Sequence, residues 1–241
     1  MTDQANDRER ERLETQYAEI AALAGGLAHE IRNPLSTIRM NLELMGEDIS
    51  DMESESPSAR RLMTKLGSVQ NECERLESIL NDFLQFASAG ELFLKPANLN
   101  AIVEEFIDFF KVEAAEAEVD IRWRPDPSLP LVNLDQKLFR QVLHNLAQNA
   151  QQAMPEGGVL EVLTDQRDGQ VLLQLIDNGC GMEERTRTRM FQAFYSNKAG
   201  GSGLGLPTVR KIVEAHRGQI TCESEVGQGT RFTIALPPAD E

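Results

Sequence analysis

Apolar residues near the start of the chain recur in alternating steps of four and three, which is the spacing of a heptad seam. The members of this first seam are Leu13, Tyr17, Ile20, Ala24, Leu27 and Ile31. After a phase slip at Pro34 the seam resumes at Leu35 and continues through Ile38, Leu42 and Met45. This spacing predicts one long amphipathic helix over about residues 13–48. Because proline removes a backbone hydrogen bond inside a helix, we expect a bend at Pro34.

A second seam with the same spacing follows a polar stretch. Residues 50–58 contain Pro57 and are typical of a loop. The members of the second seam are Leu62, Leu66, Val69, Cys73, Leu76, Leu80, Phe83 and Ala87. Two long helices joined by a loop predict an antiparallel hairpin with a narrow apolar stripe on each helix. Pairing of two hairpins into a dimeric four-helix bundle would bury those stripes.

The pattern changes after Ala89 and Gly90 to short strands and shorter helices. The expected order is a strand within 92–98, a helix over 99–116, strands near 119–125 and 129–135, a helix over 135–154, a hairpin turning at Asp168-Gly169, a helix over 206–216 and a closing hairpin over 219–236. Asp135 is a candidate N-cap of its helix. This part, from about residue 93 to the end, is predicted to be a mixed α/β domain.

The amino-acid composition limits which binding partners and which cellular compartment we expect. The chain carries 24 Lys and Arg against 39 Asp and Glu, a formal net charge of −15. That balance argues against nucleic acid or an anionic membrane as the main partner. No apolar run approaches the roughly 18 residues that span a bilayer, and the N-terminus has no apolar signal core. We therefore expect a soluble, cytoplasmic chain, which is also what the cytoplasmic part of a membrane sensor would look like.

Three cysteines, Cys73, Cys180 and Cys222, are widely spaced and odd in number. This pattern argues against a disulfide framework or a zinc site, and we expect buried or neutral thiols.

The stretch HEIRNP places three chemically active side chains on one part of the first helix. His29 is two residues from both Leu27 and Ile31, so it points about 200° away from each and toward solvent. Asn33 follows four residues later and shares that face, with Glu30 at its edge. A lone exposed histidine is usually without function. Here a carboxylate and an amide accompany the imidazole, which favours a nucleophile with groups that orient it.

Two further stretches carry polar groups in apolar surroundings. Asn145 and Asn149 are four apart on one predicted helix, where they either hydrogen bond within the core or hold a hard cation such as magnesium. Asp177 follows a strand in IDNGCGM and is able to accept a hydrogen bond from an exocyclic amine. Gly179 and Gly181 would let a backbone pass close to a flat ring. An ordinary Asp-Asn-Gly turn is the competing interpretation.

The stretch GGSGLGL, residues 200–206, precedes a helix that begins near Pro207. A loop this rich in glycine presents backbone N–H groups to an anion, and the helix N-terminus adds its dipole. Lys198 lies just before the glycines and is a natural phosphate partner. The spacing matches neither the dinucleotide-binding fingerprint nor the P-loop.

Taken together, these stretches resemble the sensor histidine kinases of two-component signalling. HEIRNP is similar to the phospho-acceptor box, NLAQNAQQAM to the asparagine box, DNGCGM and GGSGLGL to the two glycine boxes, and Phe191 to Phe194 with Lys198 to the phenylalanine box and lid. GQGTRFTIALP resembles the closing segment. The motifs stand in the family's order over about residues 24–237. The short lid resembles the nitrogen-regulation branch, whereas Gln151 and Gln152 stand where many members carry a basic residue.

The resemblance implies a multidomain fold: an antiparallel helical hairpin that forms a dimeric four-helix bundle, followed by a two-layer α/β sandwich of the Bergerat ATP-binding type. It implies His29 as the phosphorylated residue, Glu30 as its acid–base partner and Asn33 as the residue that aligns water for dephosphorylation. Mg²⁺ would be held by Asn149 with Asn145. The residues implied for ATP binding are Asn145, Asn149, Asp177, Gly179, Gly181, Lys198, Gly201, Ser202, Gly203, Leu204 and Gly205.

The same resemblance implies three segments: an N-terminal signalling helix over 1–22, a dimerisation and phosphotransfer domain over 23–92 and an ATP-binding domain over 93–241. The expected partners are a second copy of the chain, a response regulator receiver domain, and an upstream sensor domain or a separate sensor protein. Three alternatives stay open here: a phosphatase-biased member, an ATP-driven clamp protein of the same ATP-binding fold, and a non-enzymatic dimeric scaffold.

Overall fold

A computed structural model describes residues 31, 35–46, 57–87, 92–198 and 201–239. These residues form two compact units. The first contains the described residues up to 87 together with Lys198, Gly201 and Ser202, and the second contains 92–197 and 203–239. Within the described ranges, no helix combines the length and the apolar character that crossing a bilayer requires.

The first unit contains two antiparallel helices, α1 over residues 35–46 and α2 over Pro57–Ala87. Arg39 Nη1 lies 3.8 Å from Glu77 Oε2, and a Cβ on Gly46 would lie 3.1 Å from Leu66 Cδ2. In these contacts the residue number rises along α1 while it falls along α2, so the helices are antiparallel. This confirms the predicted hairpin. The predicted loop was too long by two residues, because Pro57 and Ser58 are helical. Proline is well suited to a first helical turn, where its missing N–H has no partner to lose.

The apolar seams of this unit divide into two sets with a period of seven. Leu35, Leu66 and Cys73 are buried within the hairpin. Five of the intervening members are between 45% and 51% exposed: Ile38, Met45, Leu62, Val69 and Leu76. Three further seam residues are half-buried: Leu42, Leu80 and Phe83. The hairpin therefore covers only part of its own seam.

The second unit alternates strands and helices. In chain order its elements are β1 (Lys95–Ala97), α3 (Leu99–Glu116), β2 (Val119–Arg124), β3 (Val132–Leu134), α4 (Gln136–Ala153), β4 (Gly158–Arg167), β5 (Gln170–Asp177), α5 (Glu184–Arg189), α6 (Gly205–Ala215), β6 (Gln219–Glu225) and β7 (Gly229–Leu236). From residue 92 onward, every predicted helix and strand is present within a few residues. Of the helix predicted over 13–48, only residues 31 and 35–46 are among those described. The short polar helix α5 was not predicted.

Five strands form one sheet in the order β2-β4-β5-β7-β6. β2 pairs with β4 in parallel, and the other neighbours are antiparallel. β1 and β3 form a separate antiparallel pair. The core joins alternate strand residues such as Leu173 and Ile234 to the apolar faces of α3, α4 and α6. This is a two-layer α/β sandwich, as the resemblance implied.

Local signals explain where the elements begin and turn. Asn98 caps α3 by accepting from the Ala101 N–H, and Asp135 caps α4 by accepting from the Leu138 N–H at 3.1 Å. Asp168 and Gly169 have φ values of 51° and 75°, as a two-residue hairpin turn between twisted strands requires.

Two of the three cysteines match the expectation of buried or neutral thiols. Cys73 is buried. Burial raises the pKa of the half-buried Cys222 thiol to about 12, so this thiol is neutral. Cys180 is exposed.

Candidate nucleotide-binding site

The carboxylate of Asp177 is held at the end of β5 by two backbone donors. Its Oδ1 accepts from the Gly179 N–H at 3.0 Å and from the Thr230 N–H of β7 at 3.2 Å. The residue is only 6% exposed. A buried carboxylate fixed by backbone donors keeps one orientation, which suits it to read a single polar group of a ligand.

The glycines beside Asp177 are required by the protein's own backbone. A Cβ on Gly179 would lie 2.5 Å from the Ala153 carbonyl oxygen at the end of α4. Gly181 has a φ of 65°, and its Cβ would collide with the Glu225 carbonyl. The predicted role of these glycines, the close approach of a flat ring, stays a prediction. Independently of any ligand, the loop needs glycine here because it passes between the end of α4 and the end of β6.

Of the two asparagines, Asn145 lies beside the start of α6, and Asn149 follows one turn later on the same face of α4. Asn145 Nδ2 is 3.4 Å from the Gly205 carbonyl oxygen, and Asn149 Nδ2 donates to the Asn145 carbonyl at 2.7 Å. Both side chains are half-buried. Each amide nitrogen is directed at a backbone carbonyl, so the amide oxygen is the atom of each side chain suited to a hard cation.

The end of the glycine-rich loop passes close to the Phe194 backbone just before α6 begins. Gly203 has a φ of 69°, and its carbonyl accepts from the Phe194 N–H at 3.1 Å. Leu204 is fully buried, and its carbonyl accepts from both the backbone N–H and the hydroxyl of Thr208. α6 then begins at Gly205 without a side-chain cap. A helix start of this kind is favourable for an anion.

The other predicted site residues are not part of this arrangement. Lys198, Gly201 and Ser202 belong to the helical unit, where Ser202 Oγ donates to Asp82 Oδ2 at 2.6 Å. His29, Glu30 and Asn33, as well as Pro34, lie outside the described residues. Their roles, and those of all the predicted site residues, stay predictions.

Two residues of the site were missed by the sequence analysis. The Thr230 N–H fixes Asp177, and the Ser224 hydroxyl accepts from the Met182 N–H at 2.9 Å while donating to the Gly229 carbonyl. Ser224 therefore ties the loop after Asp177 to the start of β7. Only the pairing of β5, β7 and β6 brings these residues together, so no local pattern signals them.

Comparison with known proteins matches both units. Residues 19–92 match the family described as His Kinase A (phospho-acceptor) domain. Residues 134–240 match the family described as Histidine kinase-, DNA gyrase B-, and HSP90-like ATPase.

Similar curated proteins are sensor kinases. The signal transduction histidine-protein kinase AtoS of Escherichia coli is 32% identical over 92% of this chain and 35% of its own length. Sensor histidine kinase ZraS of Escherichia coli is 32% identical over 89% of this chain and 45% of its own length, and sporulation kinase E of Bacillus subtilis is 32% identical over 98% and 31%. This chain thus spans less than half of the length of these relatives.

Solved structures that are similar to this chain include histidine kinases. Full-length ShkA in complex with AMPPNP has a TM-score of 0.70 and 29% identity over 90% of this chain and 46% of its own. Histidine kinase ThkA in complex with the response regulator protein TrrA has a TM-score of 0.67 and 25% identity over 97% and 66%. The family match of residues 134–240 makes the second unit an ATP-binding domain. The chain belongs to the two-component sensor histidine kinases and comprises their phospho-acceptor and ATP-binding regions.

Proposed function

We propose that this chain is an ATP-dependent, autophosphorylating histidine kinase that passes a phosphoryl group from His29 to an aspartate of a response regulator. The observation that carries the proposal is the fixed Asp177 carboxylate in a domain of the ATPase family, preceded in the same chain by a phospho-acceptor segment that contains HEIRNP. ATP-driven clamp proteins of the same fold lack that segment, so the clamp alternative is not favoured.

Asp177 would select adenine. Its carboxylate accepts hydrogen bonds only, so it pairs with the exocyclic amine of adenine and rejects a carbonyl at that position. The donors from Gly179 and Thr230 hold one carboxylate oxygen in place before the ligand arrives. A preorganised acceptor of this kind raises the affinity for ATP because binding then costs little conformational entropy.

Asn149 with Asn145 would hold Mg²⁺. When bound, the ion supplies charge neutralisation on the ATP phosphates. The donor set fits, since both side chains present an amide oxygen and Asn145 lies beside the uncapped start of α6. The anionic end of the nucleotide would lie against that helix start, where Gly203, Leu204 and Gly205 shape the backbone and Gly201, Ser202 and Lys198 complete the lid.

His29 would be the nucleophile. A lone pair of a neutral imidazole nitrogen forms the N–P bond to the γ-phosphorus while the bond to the bridging oxygen breaks, and ADP leaves with that electron pair. Glu30 would orient the ring and take its remaining proton. The phosphoryl group then moves to a receiver aspartate carboxylate, which restores the imidazole.

Two hairpins would associate to form the phosphotransfer bundle. The exposed part of the seam forms a stripe on the hairpin at seven-residue intervals, as a four-helix bundle requires. We infer segments at 1–22 for signal input, 23–92 for dimerisation and phosphotransfer, and 93–241 for ATP binding. A response regulator would dock on the bundle, in line with the ThkA complex with TrrA. A sensor domain or a separate sensor protein would supply the input.

Phosphatase activity toward the regulator is a second candidate. The amide of Asn33, four residues after His29, is suited to align a water on the phospho-aspartate. In Asn33→Ala, loss of regulator dephosphorylation with retained His29 labelling would support a separate role. Loss of both activities together would contradict it.

The decisive experiment is incubation with γ-labelled ATP and Mg²⁺. Wild type should acquire label that acid removes and alkali does not, and His29→Ala should acquire none. His144→Gln is the matched control, because His144 belongs to the α/β unit, where it packs against Phe110, and should label normally. Equal label in His29→Ala would overturn the assignment. ATP binding without label would favour the phosphatase interpretation, whereas a wild type that binds no ATP would favour the non-enzymatic scaffold.

A further inference from the structure

A buried histidine links two helices of the nucleotide-binding unit. His216 follows the last residue of α6 and is 3% exposed, and its Nε2 accepts from the Asp135 backbone N–H at 2.9 Å. Asp135 is the N-cap of α4. Farther along α4, at its middle, Asn145 Nδ2 lies 3.4 Å from the Gly205 carbonyl oxygen at the start of α6. α4 and α6 are thus antiparallel, and hydrogen bonds join them at both ends of α6.

The two contacts of His216 determine its tautomer. A backbone N–H only donates, so Nε2 must carry a lone pair and no hydrogen. Nδ1 lies 2.7 Å from the Ile212 carbonyl, so Nδ1 carries the hydrogen and donates it. The ring also packs edge-on against Phe139, with the centroids 6.0 Å apart. His216 is therefore a neutral imidazole held in one orientation.

The Asp135 side chain also accepts a hydrogen bond from the backbone at the start of the α/β unit. Its Oδ1 accepts from the Leu138 N–H and its Oδ2 accepts from the Phe93 N–H, both at 3.1 Å. Phe93 lies just before β1, in the segment that follows α2 along the sequence. Asp135 is 8% exposed. One buried carboxylate thus fixes both the start of α4 and the backbone just before β1.

The position of Asn145 relative to Gly205 depends on the hydrogen bond between His216 and Asp135. A distance of 3.4 Å is long for a hydrogen bond, whereas 2.9 Å is ordinary. Apolar burial between the helices is not itself directional, so hydrogen bonds add to what fixes their register. The short bond of His216 is the stronger of these two hydrogen bonds.

We propose that His216 and Asp135 are positioning residues of the nucleotide site: their hydrogen bond fixes α4 against α6 and so sets the spacing between Asn145, Asn149 and the loop that ends at Gly205. This inference rests on the proposed function, since it concerns how well ATP is bound. Asp135 and His216 would touch neither ATP nor the phosphoryl group.

The charge state of His216 matters for this role. Burial lowers the pKa of His216 below its ordinary 6.5, although the Ile212 carbonyl and Asp135 act in the opposite direction. Asp135 is the charged group that acts on the ring from outside α6. Protonation would place a hydrogen on Nε2 opposite the Asp135 N–H, and two donors cannot bond to each other.

Two polar variants of the full chain separate the contacts of the ring. His216→Gln carries its amide oxygen near the Nε2 position and retains the acceptor for Asp135. His216→Asn is one bond shorter, so it keeps a donor for Ile212 and loses the acceptor. Val171→Ala is the control for general destabilisation, since Val171 is fully buried at the far end of β5 from Asp177. For each protein the affinity for an ATP analogue is measured by calorimetry at pH 7.5, together with the thermal midpoint.

Loss of the acceptor in His216→Asn should weaken nucleotide binding about tenfold, the scale of one unsatisfied buried donor. His216→Gln should stay within about twofold of wild type, and Val171→Ala should lower the thermal midpoint without changing affinity. Equal affinities for the Asn variant and wild type, or an equal loss in both His216 variants, would overturn the proposal. A wild type that binds no nucleotide would instead refute the proposed function.

Two measurements on the folded wild type remain decisive if the variants fold poorly. Nitrogen-15 NMR of the imidazole should show Nε2 without hydrogen and Nδ1 with one, and a protonated Nε2 at pH 7.5 would overturn the geometry. The ratio of nucleotide affinity between wild type and His216→Gln should fall as the pH drops below 6.5, the ordinary pKa of histidine. A flat ratio down to acid unfolding would contradict the positioning role.

Discussion

The helical unit and the α/β unit bury their apolar residues in different ways. In the described hairpin, Leu35, Leu66 and Cys73 are buried while five other seam residues stay between 45% and 51% exposed. The α/β unit encloses a continuous core that joins α3, α4 and α6 to the sheet. One unit is complete within a single chain, and the other keeps an apolar stripe that a second copy would cover. Stability should therefore be an intrinsic property of the α/β unit and depend on concentration in the hairpin.

The largest expected effect is on the intrinsic core. Leu173→Ala in β5 removes a fully buried side chain and should cost about 2–5 kcal/mol of unfolding free energy. Denaturant unfolding of the α/β transition would measure this loss. The cost should be the same at every protein concentration, and a cost that varied with concentration would break the contrast between the units.

The second effect concerns the exposed stripe. Val69→Asp places a charge on α2 at a position that is 46% exposed in one chain and buried in the proposed bundle. The dimer should weaken by about 2 kcal/mol, the scale of a hot-spot residue. Sedimentation equilibrium measures the shift. Ser68→Asp, one residue away on an exposed position of the same helix, should leave the dimer intact.

The third effect separates ligand binding from folding within the α/β unit. Asp177→Asn keeps an oxygen for the Gly179 and Thr230 donors, so the unit should fold. Loss of the carboxylate should weaken ATP-analogue binding by at least about tenfold, because hydrogen bonds to charged groups are the stronger ones. Asp165→Asn, near the end of β4 where Asp165 accepts from Arg167, is the control and should bind as wild type. Unchanged affinity in Asp177→Asn would remove Asp177 from the site.

The fourth effect is the response of the two units to acid. The pKa of His216 is lowered by burial, so the folded state favours the neutral ring and its stabilising contribution is present above pH 6.5. That contribution should be lost as the pH falls below 6.5. Burial by itself would raise the pKa of Asp135, but the N–H groups of Leu138, Phe93 and Lys137 lower it, so this carboxylate adds a further loss below pH 3.8.

The described positions of the hairpin include no histidine, so no comparable change is expected from them. The fluorescence of Trp123 in β2 follows the α/β unit during thermal unfolding. Between pH 7 and pH 5.5 the thermal midpoint of wild type should fall further than that of His216→Gln, whose side chain does not titrate. An equal fall in the two proteins would contradict the assignment to His216.

The smallest effect belongs to a surface ion pair. Arg75 and Glu72 of α2 lie 3.1 Å apart with side chains 46% and 59% exposed. Because solvent screens such pairs, Arg75→Ala should change hairpin stability by less than about 0.5 kcal/mol, as judged by thermal melting. A larger loss would show that Arg75 contributes to something beyond this pair, such as the bundle interface.

Much of the fold was predictable because its signals are local. Heptad spacing predicted the hairpin, Asn98 and Asp135 lie at helix starts as caps do, and Asp168-Gly169 turns β4 into β5. The candidate site was less predictable from the sequence than the fold. The spacing of Asn145 and Asn149 predicted that they share a face. The close contacts that require Gly179 and Gly181 were not predictable, because they come from α4 and from the end of β6.

What the sequence determined by itself was the set of helices and strands, the two-unit organisation and the motifs that identify the family, since each of these depends on residues a few positions apart. The tertiary structure alone decided the parallel pairing of β2 with β4 and the place of β7 between β5 and β6. It also brought the Thr230 N–H to Asp177 across 53 residues and His216 to Asp135 across 81. Such contacts depend on which strands and helices become neighbours when the core is buried, and no short stretch of sequence carries that information.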